Sequence, residues 1–256
     1  ALVTGNTVVL KPAEQTAGIA AELMEIMWAA GVPREALHFC PAPGETTGAG
    51  LVRDPRVALV AFTGSCAVGL DIIEACGRTG ESQAQVKRVI CEMGGKNAVI
   101  VDVSADLDEA VLGVRQSAFG FQGQKCSACS RVIVVDPIGE DGPTMRLFLK
   151  RLVASAKSLN VGSPMLPGTD VGPVIDEAAF RMIRGLIARA RAEGATVAVG
   201  NGDYPEVEAD KGALRDGADD GVLPRWFVPP PVLTGVKPGD KIAREGGFGT
   251  GLEVWH

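Results

Sequence analysis

Histidine is scarce in this chain of 256 residues, which has only His38, beside a predicted strand, and His256 at its end. Catalysis by a Ser-His-Asp or Cys-His arrangement needs a histidine next to the nucleophile, so the sequence gives such chemistry little support. Long apolar runs are also missing, because stretches such as VALVAF at 57–62 fall far below the roughly 20 residues that span a bilayer. The opening ALVTGNTVVLKP lacks the successive basic, apolar and small-residue regions of a signal peptide.

Positive charge and cysteine are both sparse. The formal net charge is -6 and the pI is near 5.1, and no basic patch is visible, which argues against a nucleic-acid or anionic-membrane partner. The six cysteines are too few for a secreted disulfide framework of this length, so a reducing cytoplasm is the predicted setting. The 46% apolar and 22% charged residues are typical of a globular protein with a sizeable core.

Short β-branched runs alternate with longer helical patterns, which is typical of parallel strands joined by helical crossovers. The continuous apolar character of the runs predicts sheets that are buried on both faces. The main predicted strands are 7–10, 57–62, 97–102, 131–136 and 196–200, and the main predicted helices are 16–30, 67–76, 144–158 and 177–193. Two α/β units that meet near residue 97 are the simplest partition.

Helix ends and loops can be predicted in more detail. Thr16 is the predicted N-cap of the first helix, whose apolar face carries Ile19, Leu23, Ile26 and Met27. Asp106 with Glu109 three residues later forms a capping box for a helix before 131–136. The segments 41–50 and 201–221 are rich in loop-forming residues and are predicted to be loops.

Cys126 and Cys129 form an isolated CxxC within FGFQGQKCSACS. A zinc site would need about four nitrogen or sulfur ligands in paired spacing, and this is one unaccompanied pair. A thioredoxin-like redox pair is a second alternative, because a CxxC at a helix start lowers a thiol pKa, although such motifs normally lie in smaller domains. For either cysteine alone, a buried structural role is the default. The spacing by itself leaves these alternatives open.

Three other segments flank predicted strands: FTGSCAVG and KPAE follow strands, at the end where open α/β sheets bind ligands, and CEMGGKN directly precedes one. In FTGSCAVG, Gly64 and Ser65 can offer N–H groups and a hydroxyl to a phosphate at a helix N-terminus, and tight strand-helix packing is the alternative. In KPAE, Lys11 and Glu14 directly follow a strand, with a solvated turn as the alternative. In CEMGGKN, apolar neighbours would raise the carboxyl pKa of Glu92 towards that of a general base, unless it is an exposed strand-end carboxylate.

The segments LKPAEQT, FTGS, EMGGKN and GQKCS, in this order, resemble the NAD(P)-dependent aldehyde dehydrogenase superfamily over nearly the whole chain. The run SAFGFQGQKCSACSRVIV is similar to the branch that oxidises L-glutamate γ-semialdehyde, the open form of 1-pyrroline-5-carboxylate, in proline catabolism. The resemblance implies an aldehyde dehydrogenase-like α/β fold of two Rossmann-like parallel-sheet units, incomplete at both ends. Residues 1–96 would be the remainder of an NAD-binding domain and residues 97–256 a truncated catalytic domain. The full enzyme would be cytoplasmic and a homo-oligomer.

By the same resemblance, Cys126 would be the nucleophile that attacks the aldehyde, and its backbone N–H would help to hold the oxyanion. Glu92, 34 positions earlier, would be the general base for thioester hydrolysis, and Ser127 would contact the substrate carboxylate. Glu14 would favour NAD, because a carboxylate at the adenosine ribose opposes the 2′-phosphate of NADP. The implied NAD contacts are Lys11, Glu14, Gly44, Gly48, Gly64, Ser65, Val68 and Met93.

The chain also departs from the family pattern. It begins after the Trp-Asn segment whose asparagine completes the oxyanion hole, and it ends before the substrate-anchoring loop and the oligomerisation strand. Gly246 stands at the glutamate of E-[IV]-F-G-P, which holds the nicotinamide ribose, and Thr250 stands at its proline. We therefore expect an internal fragment of a longer enzyme, or of a bifunctional proline-oxidising protein, that is inactive by itself. A dehydrogenase for another aldehyde and a catalytically incompetent fragment are the alternatives.

Overall fold

The computed structural model describes residues 1–80, 82–200, 226–244, 249 and 251–256. The chain divides into two compact units, Ala1–Met93 and Gly94–His256. The boundary predicted between residues 96 and 97 lies close to this division, and the loop predicted at 201–221 lies outside the described residues. Within the described residues, no helix is both long and apolar enough to cross a membrane.

The first unit alternates strands and helices. In chain order its elements are β1 Val8–Leu10, α1 Ala17–Ala29, β2 Leu37–Phe39, α2 Ala49–Arg53, β3 Leu59–Gly64, α3 Cys66–Gly77 and β4 Arg88–Met93. Strand β1 pairs with β2, and β3 pairs with β4, both in parallel, so these strands form two separate two-stranded sheets. In a parallel pair, the carboxyl ends of both strands lie at the same edge, which brings together the segments that follow them.

Helix α1 confirms the predicted helix but not its predicted buried face. Three of the four apolar residues on that face are more than half exposed: Ile19 (72%), Leu23 (52%) and Ile26 (64%). The buried residue of the helix is Met24, which shares its face with small, partly buried alanines. Thr16 occupies the N-cap position, and its hydroxyl donates to the carbonyl of Ala13 instead of capping the helix.

The β3–β4 sheet and the segment before it also differ from the prediction. Along both strands exposed residues alternate with half-buried ones, and Leu59 and Ile90 are about half exposed. The predicted burial on both faces is therefore wrong for this sheet. The loop predicted at 41–50 is partly helical, because Gly44–Gly48 forms a wide helical turn that continues into α2.

The second unit contains one five-stranded sheet. Its elements are β5 Asn97–Val101, α4 Leu107–Phe119, β6 Cys129–Val134, α5 Pro143–Lys157, α6 Glu177–Ala192, β7 Thr196–Val199, β8 Val232–Thr234, α7 Lys241–Arg244 and β9 Leu252–Trp255. The strand order is β5-β6-β9-β8-β7, and every pair is parallel except β7 with β8. The sequence predicts β5, β6 and β7 but not the short strands β8 and β9.

This sheet is covered by helices on both faces. One core cluster packs α4 and α5 against the sheet and includes the buried side chains Phe119, Phe148 and Val232. A second cluster packs α6 and α7 against the neighbouring residue, Leu233. Because consecutive strand residues point to opposite faces, the two clusters lie on opposite sides of β8. The sheet is thus buried on both faces at β8, but the predicted burial on both faces is wrong for the edge strand β5, where Ile100 is 67% exposed.

Two helix ends of the second unit follow the sequence signals. The carboxylate of Asp106 accepts the backbone N–H groups of Asp108 at 2.9 Å and Glu109 at 3.2 Å, which confirms the Asp106 half of the predicted capping box. Gly194 follows α6 with a φ of +103°, a left-handed conformation that favours glycine after a helix. These local signals fix where the helices of this unit begin and end.

Candidate functional site

The first group of predicted cofactor residues lies at the carboxyl edge of the β1–β2 sheet. Lys11 follows β1, and its Nζ donates to the carbonyls of Pro12 at 2.6 Å and Ala42 at 3.1 Å, which ties together the segments after the two strands. Oε1 of Glu14 accepts the N–H of Gly44 at 2.6 Å and lies 3.4 Å from Nζ of Lys11. The structure thus brings Lys11, Glu14 and Gly44 into one cluster.

Gly48 and the charge of Glu14 complete this cluster. A Cβ on Gly48 would lie 3.3 Å from Cδ of Lys11, so glycine lets the lysine stem pass close to the helical turn. The pKa of Glu14 is lowered because its carboxylate accepts its own backbone N–H and that of Gly44, and because Lys11 is adjacent. Glu14 is therefore an exposed, ionised acceptor. Beside it lies a cleft of about 220 Å³, lined by Pro12, Glu14, Ala17, Pro41, Ala42 and Pro43.

The second group lies where β3 runs into α3. Ser65 is the N-cap of α3, and its Oγ accepts the N–H of Val68 at 3.3 Å. A Cβ on Gly64 would overlap the ring of Phe62, which lies two residues earlier in the same strand, so glycine leaves room for this ring and strand-helix packing at Gly64 stays a prediction. Ser65 and Val68 are nevertheless exposed at the positive end of the helix, where N–H groups are available to an anion.

Strand β4 brings two more predicted residues to this edge. The β3–β4 register pairs Thr63 with Glu92 and Gly64 with Met93, so both residues join the second group. A Cβ on Gly69 would lie 2.6 Å from Sδ of Met93, so Met93 packs against α3 where the helix has no side chain. All the predicted cofactor residues therefore lie at the carboxyl ends of β1 to β4, as in open α/β sheets that bind ligands.

The surroundings of Glu92 differ from those predicted. Its side chain is exposed, as is that of Ile90 on the same face of β4. The sequence neighbours Cys91 and Met93 point to the opposite face because side chains alternate along a strand. The apolar setting predicted for Glu92 is therefore wrong for this unit, and the exposed strand-end carboxylate is the observed state.

Cys126 lies at the tip of a tight turn directly before β6. The turn is closed by the N–H of Ala128, which donates to the carbonyl of Lys125 at 3.1 Å, with Cys126 and Ser127 as its central residues. Both central side chains are exposed. A thiol at such a tip is open to a substrate, as nucleophilic chemistry requires.

Asn97, the first residue of β5, holds this turn. Its Nδ2 donates to the carbonyl of Cys126 at 2.6 Å and to that of Ala128 at 3.1 Å. The sequence prediction missed this role, although Asn97 belongs to the motif EMGGKN. Its contact with the turn depends on the pairing of β5 with β6, which the motif does not reveal.

The backbone that leads into the turn has an unusual conformation. Phe121 and Gln122 have φ angles of 54° and 56°, a left-handed region that residues other than glycine rarely adopt. Gly123 follows with a φ of 64°, and a Cβ there would lie 2.8 Å from the carbonyl oxygen of Ala118 and 2.9 Å from the backbone of Gly249. Glycine is required at this position by both conformation and space.

Two glutamine side chains fasten the same segment to a later part of the chain. The side-chain oxygen of Gln122 accepts the N–H of Gly172 at 2.8 Å. That of Gln124 accepts the N–H of Ile175 at 3.1 Å. The sequence prediction missed these roles too, because nothing in the local pattern indicates contacts about 50 residues away.

Cys129 has a different environment from Cys126. It is 3% exposed, belongs to the core under α4 and α5, and its Sγ donates to the carbonyl of Arg131 at 3.1 Å. Burial raises the pKa of the Cys129 thiol, which disfavours a reactive thiolate. The structural role is therefore confirmed for Cys129, and both cysteines are free thiols.

Ser127 is exposed beside Cys126, and its contact with a substrate carboxylate stays a prediction. The departures from the family pattern at Gly246 and Thr250 lie outside the described residues.

The aldehyde dehydrogenase family model matches residues 1–254 of the chain. The chain therefore belongs to the aldehyde dehydrogenase family. Its two α/β units are parts of the aldehyde dehydrogenase fold.

Within this family, 1-pyrroline-5-carboxylate dehydrogenases are among the similar proteins. That of Bacillus cytotoxicus is 40% identical over 249 residues, which cover 97% of this chain and 44% of the relative. That of Geobacillus thermodenitrificans is 41% identical with the same coverage. The chain thus spans less than half the length of these curated relatives.

Solved structures of similar proteins agree with these sequence matches. Proline utilization A from Bdellovibrio bacteriovorus, inactivated by N-propargylglycine, matches with a TM-score of 0.84 at 40% identity over 99% of this chain and 24% of that one. The 1-pyrroline-5-carboxylate dehydrogenase from Thermus with bound NAD matches with a TM-score of 0.84 at 38% identity over 99% of this chain and 44% of that one.

Proposed function

We propose that this chain is part of an NAD-dependent 1-pyrroline-5-carboxylate dehydrogenase, a cytoplasmic enzyme that oxidises L-glutamate γ-semialdehyde to L-glutamate in proline catabolism. The observation that carries the proposal is the exposed Cys126 on a turn that Asn97 holds, in a chain 40% identical to a dehydrogenase of that name. The complete site would belong to a longer protein, a homo-oligomer in our proposal, because the chain covers 44% of that relative.

Cys126 is the proposed nucleophile. Its thiolate attacks the aldehyde carbon, which forms a C–S bond and an oxyanion that the backbone N–H of Cys126 stabilises. NAD, when bound, supplies the acceptor for the hydride that leaves this thiohemiacetal. The acyl group then remains on Sγ of Cys126 as a thioester. The exposed position of the thiol supports this role, and the bond from the Ala128 N–H to the Lys125 carbonyl orients the peptide group that carries the Cys126 N–H.

Glu92 is the proposed general base of the second half of the reaction. Its carboxylate takes a proton from a water molecule whose oxygen attacks the thioester carbon, and the C–S bond breaks to release the carboxylic acid product and the Cys126 thiolate. The support for this role is the motif resemblance together with the exposed position of Glu92 at the carboxyl end of β4. An exposed carboxylate is open to water, which the hydrolysis needs.

The proposed NAD site uses both groups of residues in the first unit. Lys11 and the ionised Glu14 would hold the hydroxyl groups of the adenosine ribose, beside Gly44 and Gly48. Glu14 disfavours NADP, because a 2′-phosphate would meet its negative charge. Next along the cofactor, Gly64, Ser65, Val68 and Met93 would line the pyrophosphate and adenine. The N–H groups at the start of α3 fit a pyrophosphate, and the exposed Val68 fits an aromatic base.

Ser127 would set the substrate class, because an exposed hydroxyl beside the nucleophile can donate to the carboxylate of glutamate semialdehyde. A second candidate is an aldehyde dehydrogenase for a different aldehyde. It is favoured by the match to betaine aldehyde dehydrogenase from Staphylococcus aureus in complex with NAD+, which has a TM-score of 0.84 at 30% identity over 99% of this chain. The higher identity to 1-pyrroline-5-carboxylate dehydrogenases favours the first candidate.

A substrate panel tests the proposal in the longer protein that carries this sequence. We expect kcat/KM for NADH formation to be at least about tenfold higher with L-glutamate γ-semialdehyde than with propanal. Propanal has no carboxylate to accept a hydrogen bond from Ser127. Equal or higher activity with propanal would favour the second candidate. We expect the 256-residue chain alone not to reduce NAD, and measurable NADH formation by it would contradict that expectation.

Replacement of Cys129 by alanine separates the two cysteines. Loss of its buried Sγ should lower the free energy of unfolding by about 1–2 kcal/mol, because a small cavity remains in the core. NADH formation by the longer enzyme at a temperature where the variant is folded should stay within about twofold of the wild-type value. A large loss of activity in a folded variant would instead support the redox-pair interpretation of the CxxC.

A further inference from the structure

The second unit contains a buried ion pair close to the Cys126 turn. Glu253 on β9 is 1% exposed, and its Oε1 lies 2.5 Å from Nζ of Lys96, whose side chain is 13% exposed. Its Oε2 accepts the indole N–H of Trp255 at 3.2 Å. Both oxygens of the carboxylate therefore have partners, as the burial of a charge requires.

A buried pair of this kind is weak evidence for stability, because desolvation of two charges offsets most of their attraction. Its best-supported use is to fix one arrangement of neighbouring elements, since either charge alone would be left buried without a partner. Lys96 and Glu253 lie 157 positions apart in the sequence, so the pair fixes the start of β5 relative to β9.

The residue after Lys96 is Asn97, and the ladder is irregular at this point. Asn97 pairs with Cys129, but the next residue, Ala98, pairs with Arg131, which leaves Ser130 as an extra residue in β6. A bulge of this kind weakens the ladder and re-aims side chains. The Asn97 amide is thereby directed at the carbonyls of the Cys126 turn rather than along a regular ladder. The hydroxyl of Ser130 donates to the backbone carbonyl of Asn97 at 3.4 Å, and the Lys96 ion pair directly precedes Asn97 in the chain.

We propose that Glu253 is a positioning residue for the nucleophile: it holds Lys96, which fixes Asn97, which in turn holds the turn that carries Cys126. The effect of Glu253 on catalysis rests on the proposed function. Its effect on the conformation of the turn does not. Asn97 accounts for the direction of the Cys126 carbonyl and hence for that of the neighbouring peptide groups, including those that would hold the oxyanion. Loss of the ion pair should therefore increase local opening of this turn more than it increases opening of the sheet.

Amide hydrogen exchange in the 256-residue chain tests the effect on the conformation of the turn. The probe is the N–H of Ala128, which closes the turn, and the reference is the N–H of Val134 within β6 of the same sheet. We expect Glu253→Gln and Asn97→Asp each to speed exchange at Ala128 at least about threefold relative to Val134, because an aspartate has no N–H to donate. The double variant should exceed Asn97→Asp by little, since both changes act through one contact.

The matched control is Glu140→Gln, which neutralises an exposed glutamate of the same unit that pairs with His256. It should leave the exchange ratio unchanged. Equal acceleration at Ala128 and Val134 in Glu253→Gln would mean that the pair only stabilises the unit, and additive effects in the double variant would mean that Glu253 does not act through Asn97. Either result overturns the proposal. Lys96→Gln, which removes the opposite charge of the same ion pair, keeps the test valid if Glu253→Gln does not fold.

Kinetics of the longer enzyme test the catalytic part. Glu253→Gln and Asn97→Asp should lower kcat at least about threefold because the turn carries the reacting sulfur, and the KM for the semialdehyde should rise as well because Ser127 lies on the same turn. A change confined to KM would overturn the positioning role. If the wild-type longer enzyme does not oxidise the semialdehyde at all, the proposed function fails, whereas the exchange result in the chain still decides whether Glu253 positions the turn.

Discussion

Replacement of Cys126 by alanine should lower NADH formation by the longer enzyme at least about a thousandfold at saturating aldehyde and NAD. The expected loss is large because no covalent intermediate can form without the sulfur, and the hydride then has no thiohemiacetal to leave from. The Cys126 side chain is exposed, so its loss should change the free energy of unfolding little. The measurement is NADH absorbance in steady state, with thermal unfolding of the same variant.

The matched control is Cys76→Ala, because Cys76 is also a free thiol but lies near the C-terminal end of α3, away from the proposed NAD contacts. It should keep NADH formation within about twofold of the wild-type rate. Retained turnover in Cys126→Ala would exclude this residue as the nucleophile, and with it the proposed mechanism. A comparable loss in both variants would indicate a general effect of thiol removal rather than a specific role.

Replacement of Glu92 by glutamine should separate the two halves of the reaction. The first half does not use Glu92, so one equivalent of NADH per site should still form rapidly. Steady-state turnover should then fall by about 10²–10⁴, because glutamine cannot take a proton from the attacking water. Rapid-mixing absorbance gives the burst, and the mass of the intact protein should reveal the acyl group on the chain.

Peptide mapping of that variant should locate the acyl group on Cys126. A suitable control is Glu74→Gln, which removes another exposed carboxylate of the first unit that pairs with Arg78 on the surface of α3. The control should turn over normally. An unchanged steady-state rate in Glu92→Gln would assign the general base to another group, and the absence of a burst would place Glu92 in the first half of the reaction.

The fold of the second unit could be predicted from local signals to a large extent. Asp106 and Gly194 mark helix ends through side-chain and backbone chemistry that acts within a few residues, and the structure contains both features. The short strands β8 and β9 could not be predicted, because each directly follows a run of proline or glycine that is typical of a loop. They form because long-range pairing with β6 and β7 satisfies their backbone groups.

The first unit was predicted less well, and α1 gives the reason. Periodicity identifies a helix and its most apolar stripe, but not which stripe meets a neighbour. In α1 the residues Ile19, Leu23 and Ile26 form the apolar stripe, and the buried residue is Met24 on another face. The sequence of a helix does not reveal which of its faces other elements of the same unit cover.

The candidate site shows the same division between local and distant information. The motifs gave Lys11, Glu14 and Gly44, and the parallel pairing of β1 with β2 brings them together. The support for the Cys126 turn was missed, because Asn97 reaches it through a register irregularity between two strands. Such an irregularity depends on how the whole ladder pairs and not on any short stretch of residues.

The left-handed backbone at Phe121 and Gln122 limits how short a fragment can be and still keep the conformation of the Cys126 turn. A residue other than glycine in that conformation costs roughly 1–2 kcal/mol, so the loop would relax if it were cut free. It is held by Gly172 and Ile175 on one side and passes close to Gly249 on the other. A peptide that contains the cysteine motif alone would therefore lose the geometry of the turn. The smallest segment that can keep the thiol in place must reach from the start of β5 to β9.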